Sequence, residues 1–358
     1  VLSYEVVTAF FLEAAFLGVL LFGRGKVPQG VHLFAAIMVA IGTFISSFWI
    51  LSANSWMHTP QGVEIVNGQV IPVDWLDVIF NPSFPYRLTH MTLAAYVSTA
   101  LLVGAVGAWH LLRGNQSTAN RKMLSMAMWM LLLTVPVQTL IGDLHGLNTL
   151  QYQPAKIAAI EGHWDNSSGE PTPLILFGMP NEDKEETQYK IEIPYLASLI
   201  LNHSLEKPIP ALKDFPKEER PPSAVIFWSF RIMVMLGMLM LLQAFVALVL
   251  RKGRKLYQSG LFLKFAVAMG PSGLIAILAG WFTTEIGRQP WTVYGLQKTA
   301  DAVSAHSTLQ MSVSLMLFIV IYCAVFGAGY FYMLVQMRQG VVPDAGSEHE
   351  VPVISGRL

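Results

Sequence analysis

Residues 223–250 read SAVIFWSFRIMVMLGMLMLLQAFVALVL, with a single charged side chain, Arg231, in the whole run. A helix needs about 20 mostly apolar residues to cross the hydrocarbon of a membrane, and this stretch exceeds that. Six more stretches of the same kind flank it, at roughly 4–23, 31–53, 88–112, 123–142, 265–286 and 308–337. Backbone groups in lipid must find partners within their own segment, and the alternation of a barrel strand is absent, so all seven read as helices. Composition agrees: 13% of residues are charged, 53% are hydrophobic, and the mean hydropathy is +0.49. Lys and Arg number 23 and Asp and Glu number 23. That balance argues against a nucleic-acid binder or any other binder of a charged polymer. One cysteine, Cys323, excludes a disulfide scaffold and a multi-cysteine metal cluster. The expected fold class is all-α, a polytopic membrane helical bundle of seven transmembrane helices with one long loop.

The basic residues orient the bundle. Arg24 and Lys26 lie in the 24–30 loop, Arg113, Arg121 and Lys122 in 113–122, and Arg251, Lys252, Arg254, Lys255 and Lys264 in 251–264. None of these loops holds an acidic residue, whereas 54–87 has only Arg87 and 287–307 only Arg288 and Lys298. Seven spans alternate sides, which puts every basic loop on one side, cytoplasmic by the positive-inside rule. The expected division is spans over 1–142, an external segment over 143–222, spans over 223–337, and a polar, acidic cytoplasmic tail over 338–358. Val1–Phe22 lacks the basic start and small-residue cleavage site of a signal peptide. No internal repeat supports an inverted-repeat transporter.

Ionisable side chains inside spans are costly and point to function. Glu5 and Glu13 lie about 12 Å apart along the first helix, with no basic residue on that helix to pair with. Glu13, near mid-span, reads as a protonated carboxyl of the kind a proton relay uses, or as a neutral acid bonded to a neighbouring helix. His90 stands at the external end of the third span, and Met233 lies within the fifth, about 10–15 Å deep. Imidazole and thioether sulfur together can ligate a low-spin haem, although a headgroup-level histidine and a packing methionine are the plainer alternatives. Glu285 and Arg288, at i and i+3, share a helix face and can pair, with Trp281 and Trp291 as interfacial anchors. After Pro154 a short helix carries Lys156 and Glu161, which by themselves suggest an ordinary surface helix.

In this order along the chain stand Phe10-Phe-Leu-Glu13, Trp49-Ile-Leu-Ser-Ala-Asn54-Ser-Trp56-Met57, Gln153-Pro-Ala-Lys156-Ile-Ala-Ala-Ile-Glu161, Phe230-Arg231-Ile-Met233 and Gly280-Trp281-Phe-Thr-Thr-Glu285-Ile-Gly-Arg288-Gln-Pro-Trp291. This series resembles subunit I of the cytochrome bd family of quinol oxidases over nearly the whole chain, and the last motif is long and specific. The resemblance implies a respiratory enzyme of the bacterial cytoplasmic (inner) membrane. Such an enzyme oxidises quinol at the external face and reduces O2 to water with protons drawn from the cytoplasm. It implies three haems: low-spin haem b, high-spin haem b, and haem d or a further haem b. By the same resemblance His90 and Met233 match the axial ligands of the low-spin haem, and Glu285 a ligand of a high-spin haem. Glu5 matches a glutamate at the iron of the O2 site, and Glu13 and Ser46 match proton-path groups. Arg231, Arg288 and Trp281 match haem-binding residues, and Gln153, Lys156 and Glu161 match the quinol-binding residues of the external Q-loop. The partners implied are quinol, O2, a subunit II and a small single-span subunit.

The resemblance has departures. It places two further spans and a haem-ligating histidine ahead of Val1, so the expectation is an N-terminally truncated sequence. The external segment is of the short-loop kind, and Ala14 stands where related chains carry a hydroxyl. Two other readings compete, a haem-bearing anchor of a dehydrogenase and a cofactor-free proton-coupled transporter. Quinone type and haem d against haem b stay open.

Overall fold

The computed structural model describes residues 2–166 and 169–339. Most of the expected tail, 340–358, lies outside the described residues. Among the described residues, seven helical segments are long and apolar enough to cross a membrane. The first runs Leu2–Phe22 as α1 (Leu2–Glu5), a π-helical turn (Val6–Phe10) and α2 (Phe11–Phe22). α3 (Gln29–His58) follows Pro28, and a short α4 (Trp75–Ile79), capped by the Asp74 carboxylate, leads into α5 (Phe84–Leu112). α6 (Thr118–Tyr152) starts at the Ser117 cap, whose hydroxyl accepts from the Asn120 amide. α7 is Pro154–Glu161 and α8 Leu196–Asn202. α9 (Ser223–Lys252), α10 (Gly260–Ala268), α11 (Ser272–Ile286) and α12 (Thr308–Gln339) complete the set.

The core lies between α5, α6, α9, α10 and α11, where Leu101, Leu124, Leu131, Met240, Ala266 and their neighbours are buried. A second cluster surrounds α7, with Ile157, Ile160, Trp164, Ile209, Leu212 and Ile226. That cluster turns the segment after α6 into a packed cap on the bundle rather than a loose loop.

Three features differ from the expected helices. α6 runs ten residues past 142. Its polar end is held by Asn148, which accepts from the Ser83 hydroxyl and donates to the Pro82 carbonyl. The sixth span is two helices, α10 and α11, broken where Pro271 follows Gly270. The break packs closely on α5: a Cβ at Gly270 would stand 2.8 Å from the Ala105 Cβ, and one at Gly273 2.6 Å from the Ser98 Cα. Among the described residues the connections also hold three antiparallel hairpins: β1 (Val63–Val66) with β2 (Gln69–Pro72), β3 (Leu174–Asn181) with β4 (Glu186–Ile193), and β5 (Trp291–Val293) with β6 (Gln297–Lys298). The first turns on Asn67 and Gly68, both at positive φ, the pair a tight hairpin favours.

Candidate functional site

Proline at its first position and the left-handed Gly162 at its end bound α7 to eight residues. A side chain at Gly162 would meet the Phe227 ring at 2.9 Å, so glycine lets the chain turn against α9. Every residue from Ala155 to Glu161 is buried, including Lys156 (4% exposed) and Glu161 (5%). The surface helix suggested by composition is therefore an interior one.

Lys156 lies along Gly287 at the end of α11, and its Nζ donates to Gln153 Oε1 at 2.5 Å. The same Nζ is 3.1 Å from Nδ1 of His58, the last residue of α3. His58 is fully buried, and its Nε2 faces Glu285 Oε1 at 3.5 Å. Glu285 also accepts from Asn54 Nδ2 (2.8 Å) and pairs with Arg288 Nη2 (2.7 Å), and Asn54 accepts from Arg87 Nη1 (3.3 Å). Four segments thus meet in one polar cluster with three side chains that normally carry positive charge, Arg87, Lys156 and Arg288, around the carboxylate of Glu285. Burial, then Arg87 and Arg288 against Glu285, holds the Lys156 amine well below the usual lysine range.

Glu161 faces another way. Its Oε2 is 3.7 Å from Arg231 Nη2, an ion-pair distance but too long for a hydrogen bond. Burial raises its pKa and Arg231 partly offsets the rise. Arg231 donates to the carbonyls of Ile160, Phe227 and Ile175, and its guanidinium lies on the Phe227 ring. It therefore ties α9 to α7 and β3.

Deeper in the bundle, His90 rests against Gly142 of α6, where a Cβ would come within 3.3 Å of its Cε1. The His145 ring is 6.0 Å away, centre to centre. The Met233 sulfur lies 3.0 Å from where a Cβ on Gly280 of α11 would stand. Trp281, half-buried, is one turn before Glu285. In the first span, Glu5 Oε1 accepts from Ser46 Oγ at 2.9 Å, so the structure joins two of the expected residues. The Glu13 side chain packs on Gly42, one turn before Ser46 on the same face of α3.

Buried polar atoms without a hydrogen-bond partner gather in this region: Arg87 Nε, Arg288 Nε and Nη1, His90 Nδ1, Gln153 Nε2 and Glu161 Oε2. Buried donors on arginine suit carboxylates such as haem propionates. Imidazole and thioether are ligands that a haem iron accepts. The residues present fit a haem.

Sequence reasoning passed over His58, Arg87 and His145. Arg87 had a signal: it is three residues before His90 on one helix face. His58 and His145 lie just beyond the apolar stretches, where a span judged by hydropathy stops too soon.

A model of the family described as cytochrome bd terminal oxidase subunit I matches residues 1–341. The chain is 33% identical over 362 residues to the cytochrome bd ubiquinol oxidase subunit 1 of Bacillus subtilis (strain 168), covering 98% of this chain and 77% of that one. It is 30% identical over 406 residues to the cytochrome bd-II ubiquinol oxidase subunit 1 of Escherichia coli (strain K12), covering 95% and 79%. The solved bd oxidase from Geobacillus thermodenitrificans superposes with a TM-score of 0.83 at 34% identity, covering 95% of this chain and 79% of that one. With the family model matched over nearly its whole length, this chain belongs to the cytochrome bd terminal oxidase subunit I family, membrane subunits of haem-bearing quinol oxidases.

Proposed function

We propose that this subunit oxidises quinol at α7 on the external face of the membrane, while protons for O2 reduction enter from the cytoplasm. The observation that carries the quinol site is the burial of Lys156 and Glu161 on one short helix. Beside them, Gln153 Nε2 and Glu161 Oε2 have no hydrogen-bond partner. A quinol presents two hydroxyls, each a donor and an acceptor. Lys156 holds one oxygen and stabilises the negative charge that grows there as the proton leaves. Glu161, its carboxyl made more basic by burial, accepts a proton. Both groups need a dry site, and the apolar cluster around α7 provides one.

Haem, when bound, supplies one-electron transfer and an iron at which O2 is reduced. His90 and Met233 would hold the low-spin haem b, Glu285 and Glu5 would serve high-spin haem b and haem d or a further haem b, and Arg288, Arg231 and Trp281 would line them. Arg231 is largely engaged with α7 and β3, so Arg87 and Arg288 offer the freer donors to propionates. Glu13 and the Glu5–Ser46 pair hold protons on the way to the O2 site.

The overall balance is 2 quinol + O2 → 2 quinone + 2 H2O. Four protons leave at α7 and four are taken up elsewhere. If the two events lie on opposite faces, charge crosses the membrane without a pump. Relatives are named for ubiquinol and, in one putative case from Bacillus subtilis, for menaquinol; the geometry at α7 serves either ring. Subunit II completes the enzyme, and a small single-span subunit is a further candidate partner.

The test is steady-state turnover of the purified oxidase in Lys156→Ala and Glu161→Ala. Each variant loses a charged contact worth about 1.5–3 kcal/mol, so the quinol KM or kcat/KM should worsen roughly tenfold or more with haem content unchanged. Normal turnover in both would reject the site.

A further inference from the structure

We propose that His58 is a positioning residue that ties the quinol site to Glu285, and that it does so through one fixed ring tautomer. The inference rests on reading Gln153 and Lys156 as quinol-site residues. His58 ends α3, on a different helix from either group, and is fully buried. Its two ring nitrogens face opposite ways. Nδ1 lies 3.1 Å from Lys156 Nζ and 3.2 Å from Gln153 Oε1. Nε2 lies 3.5 Å from Glu285 Oε1.

Donor and acceptor logic selects the tautomer. A lysine ammonium only donates and an ionised carboxylate only accepts. With the proton on Nε2, the ring donates to Glu285 while Nδ1 accepts from Lys156. With the proton on Nδ1, a lone pair would face the carboxylate and an N–H would face the ammonium. The first arrangement satisfies the contacts to Lys156 and Glu285, and the 3.2 Å approach of Nδ1 to Gln153 Oε1, acceptor to acceptor, is bridged by the Lys156 ammonium, which donates to both. It gives a directed series of donors, Lys156 to His58 to Glu285, with Lys156 donating also to Gln153 Oε1.

Two consequences follow for the chemistry. An ammonium has three N–H bonds. Gln153 and His58 take two and aim the third, which is the one left for a quinol oxygen. At the other end Glu285 Oε1 is held by two donors, Asn54 Nδ2 at 2.8 Å and His58 Nε2. His58 touches neither substrate nor product in this scheme. It sets where Lys156 points and couples that direction to the position of Glu285.

Glutamine is the informative replacement, because its amide carries an acceptor and a donor on one planar group, like the inferred tautomer. Leucine fills similar volume without either. In the purified, haem-loaded oxidase, His58→Leu should raise the quinol KM roughly tenfold, as loss of a contact to a charged group does. Because the lost contact acts on binding, kcat should stay within about threefold. His58→Gln should restore KM to near the wild-type value. The reduced-minus-oxidised visible spectrum, recorded for each variant, confirms haem content and should show a displaced high-spin band in His58→Leu but not in His58→Gln. Should His58→Leu fail to assemble, His58→Asn replaces it; its amide is too short to reach both partners, and the same KM rise is expected. A wild-type KM in His58→Leu or His58→Asn, with KM raised in Lys156→Ala, overturns the role of His58 and leaves the quinol site standing. A KM raised equally in His58→Gln and His58→Leu overturns the hydrogen-bond argument. A wild-type KM in Lys156→Ala as well removes the quinol site itself.

Discussion

Glu161 and Lys156 are five residues apart, too far round an α-helix to share a face, and the structure uses that offset. Lys156 turns to α3 and α11, whereas Glu161 turns to Arg231 of α9. The two groups are shifted in opposite directions, each mainly by burial: the glutamic acid keeps its proton to higher pH than usual, and the lysine gives one up at lower pH than usual. The signs predict the shape of a pH profile. Below the raised pKa Glu161 is protonated and cannot act as a base, so quinol oxidation should climb as pH rises through it. Above the lowered pKa Lys156 is neutral and stabilises phenolate poorly, so the rate should fall again. Glu161→Gln keeps the shape of the side chain and removes the base. Its quinol kcat/KM should drop by roughly 10²-fold, the usual size of a positioned proton transfer, and its rising limb should vanish. A rising limb unchanged in Glu161→Gln assigns the base to another group. The sequence announced the cost of burying these charges but not their partners. Arg231 is the clear case: its place in the motif pointed to haem, and its guanidinium bonds backbone carbonyls of α7, α9 and β3.

Helices were legible as helices because lipid leaves no other choice for a single apolar segment. Their ends were less so. Hydropathy measures contact with hydrocarbon, and α6 continues past it on polar contacts through Asn148. The Asn67-Gly68 turn was a hairpin signal present in the sequence, set between short runs rich in valine and isoleucine, and the apolar stretches on either side overshadowed it. The π turn at Val6–Phe10 had no sequence signal. Its effect is specific. Eight residues of regular α-helix would leave Glu5 and Glu13 about 80° apart around the axis. A turn closed by i→i+5 bonds holds more residues and draws the two carboxyls toward one face. That face meets Ser46 and Gly42, which are four residues apart on α3. Glycines shape the other helix contacts. Gly280 of α11 leaves just enough room for the Met233 sulfur. Gly280→Ala should crowd it at a cost of about 1–3 kcal/mol, weakening any bond the sulfur makes by roughly tenfold or more. The expected result is a diminished low-spin haem band in the reduced-minus-oxidised spectrum, with quinol KM unchanged. A low-spin band of full height and unshifted position in Gly280→Ala would remove Met233 as a ligand.

Across the whole molecule the polar groups are segregated by depth and by side. The connections at one end, 24–30, 113–122 and 251–264, are basic, and the segment 143–222 at the other end forms the packed cap that holds α7. The edge helices have little protein around them: the most apolar window of Leu2–Phe22 is 6% buried and that of Thr308–Gln339 is 0% buried. Half-buried Glu5 and Glu13 therefore sit on a face that needs cover, since a bare carboxyl against lipid is costly. Charge separation without a pump works only if the cap faces outward and the basic loops face the cytoplasm, so orientation is the step on which the energetics depend. It can be measured directly. Cys323 is the single cysteine, so Cys323→Ser gives a background without thiols. Asp183→Cys places one thiol on the exposed β3–β4 turn of the cap, and Gln116→Cys places one on an exposed basic loop. A membrane-impermeant maleimide applied to intact spheroplasts should label Asp183→Cys and leave Gln116→Cys unlabelled until the membrane is opened with detergent. The reverse pattern would put α7 on the cytoplasmic side. Protons from quinol would then be released into the compartment from which the oxidase draws protons for water, and turnover would build no gradient by this route.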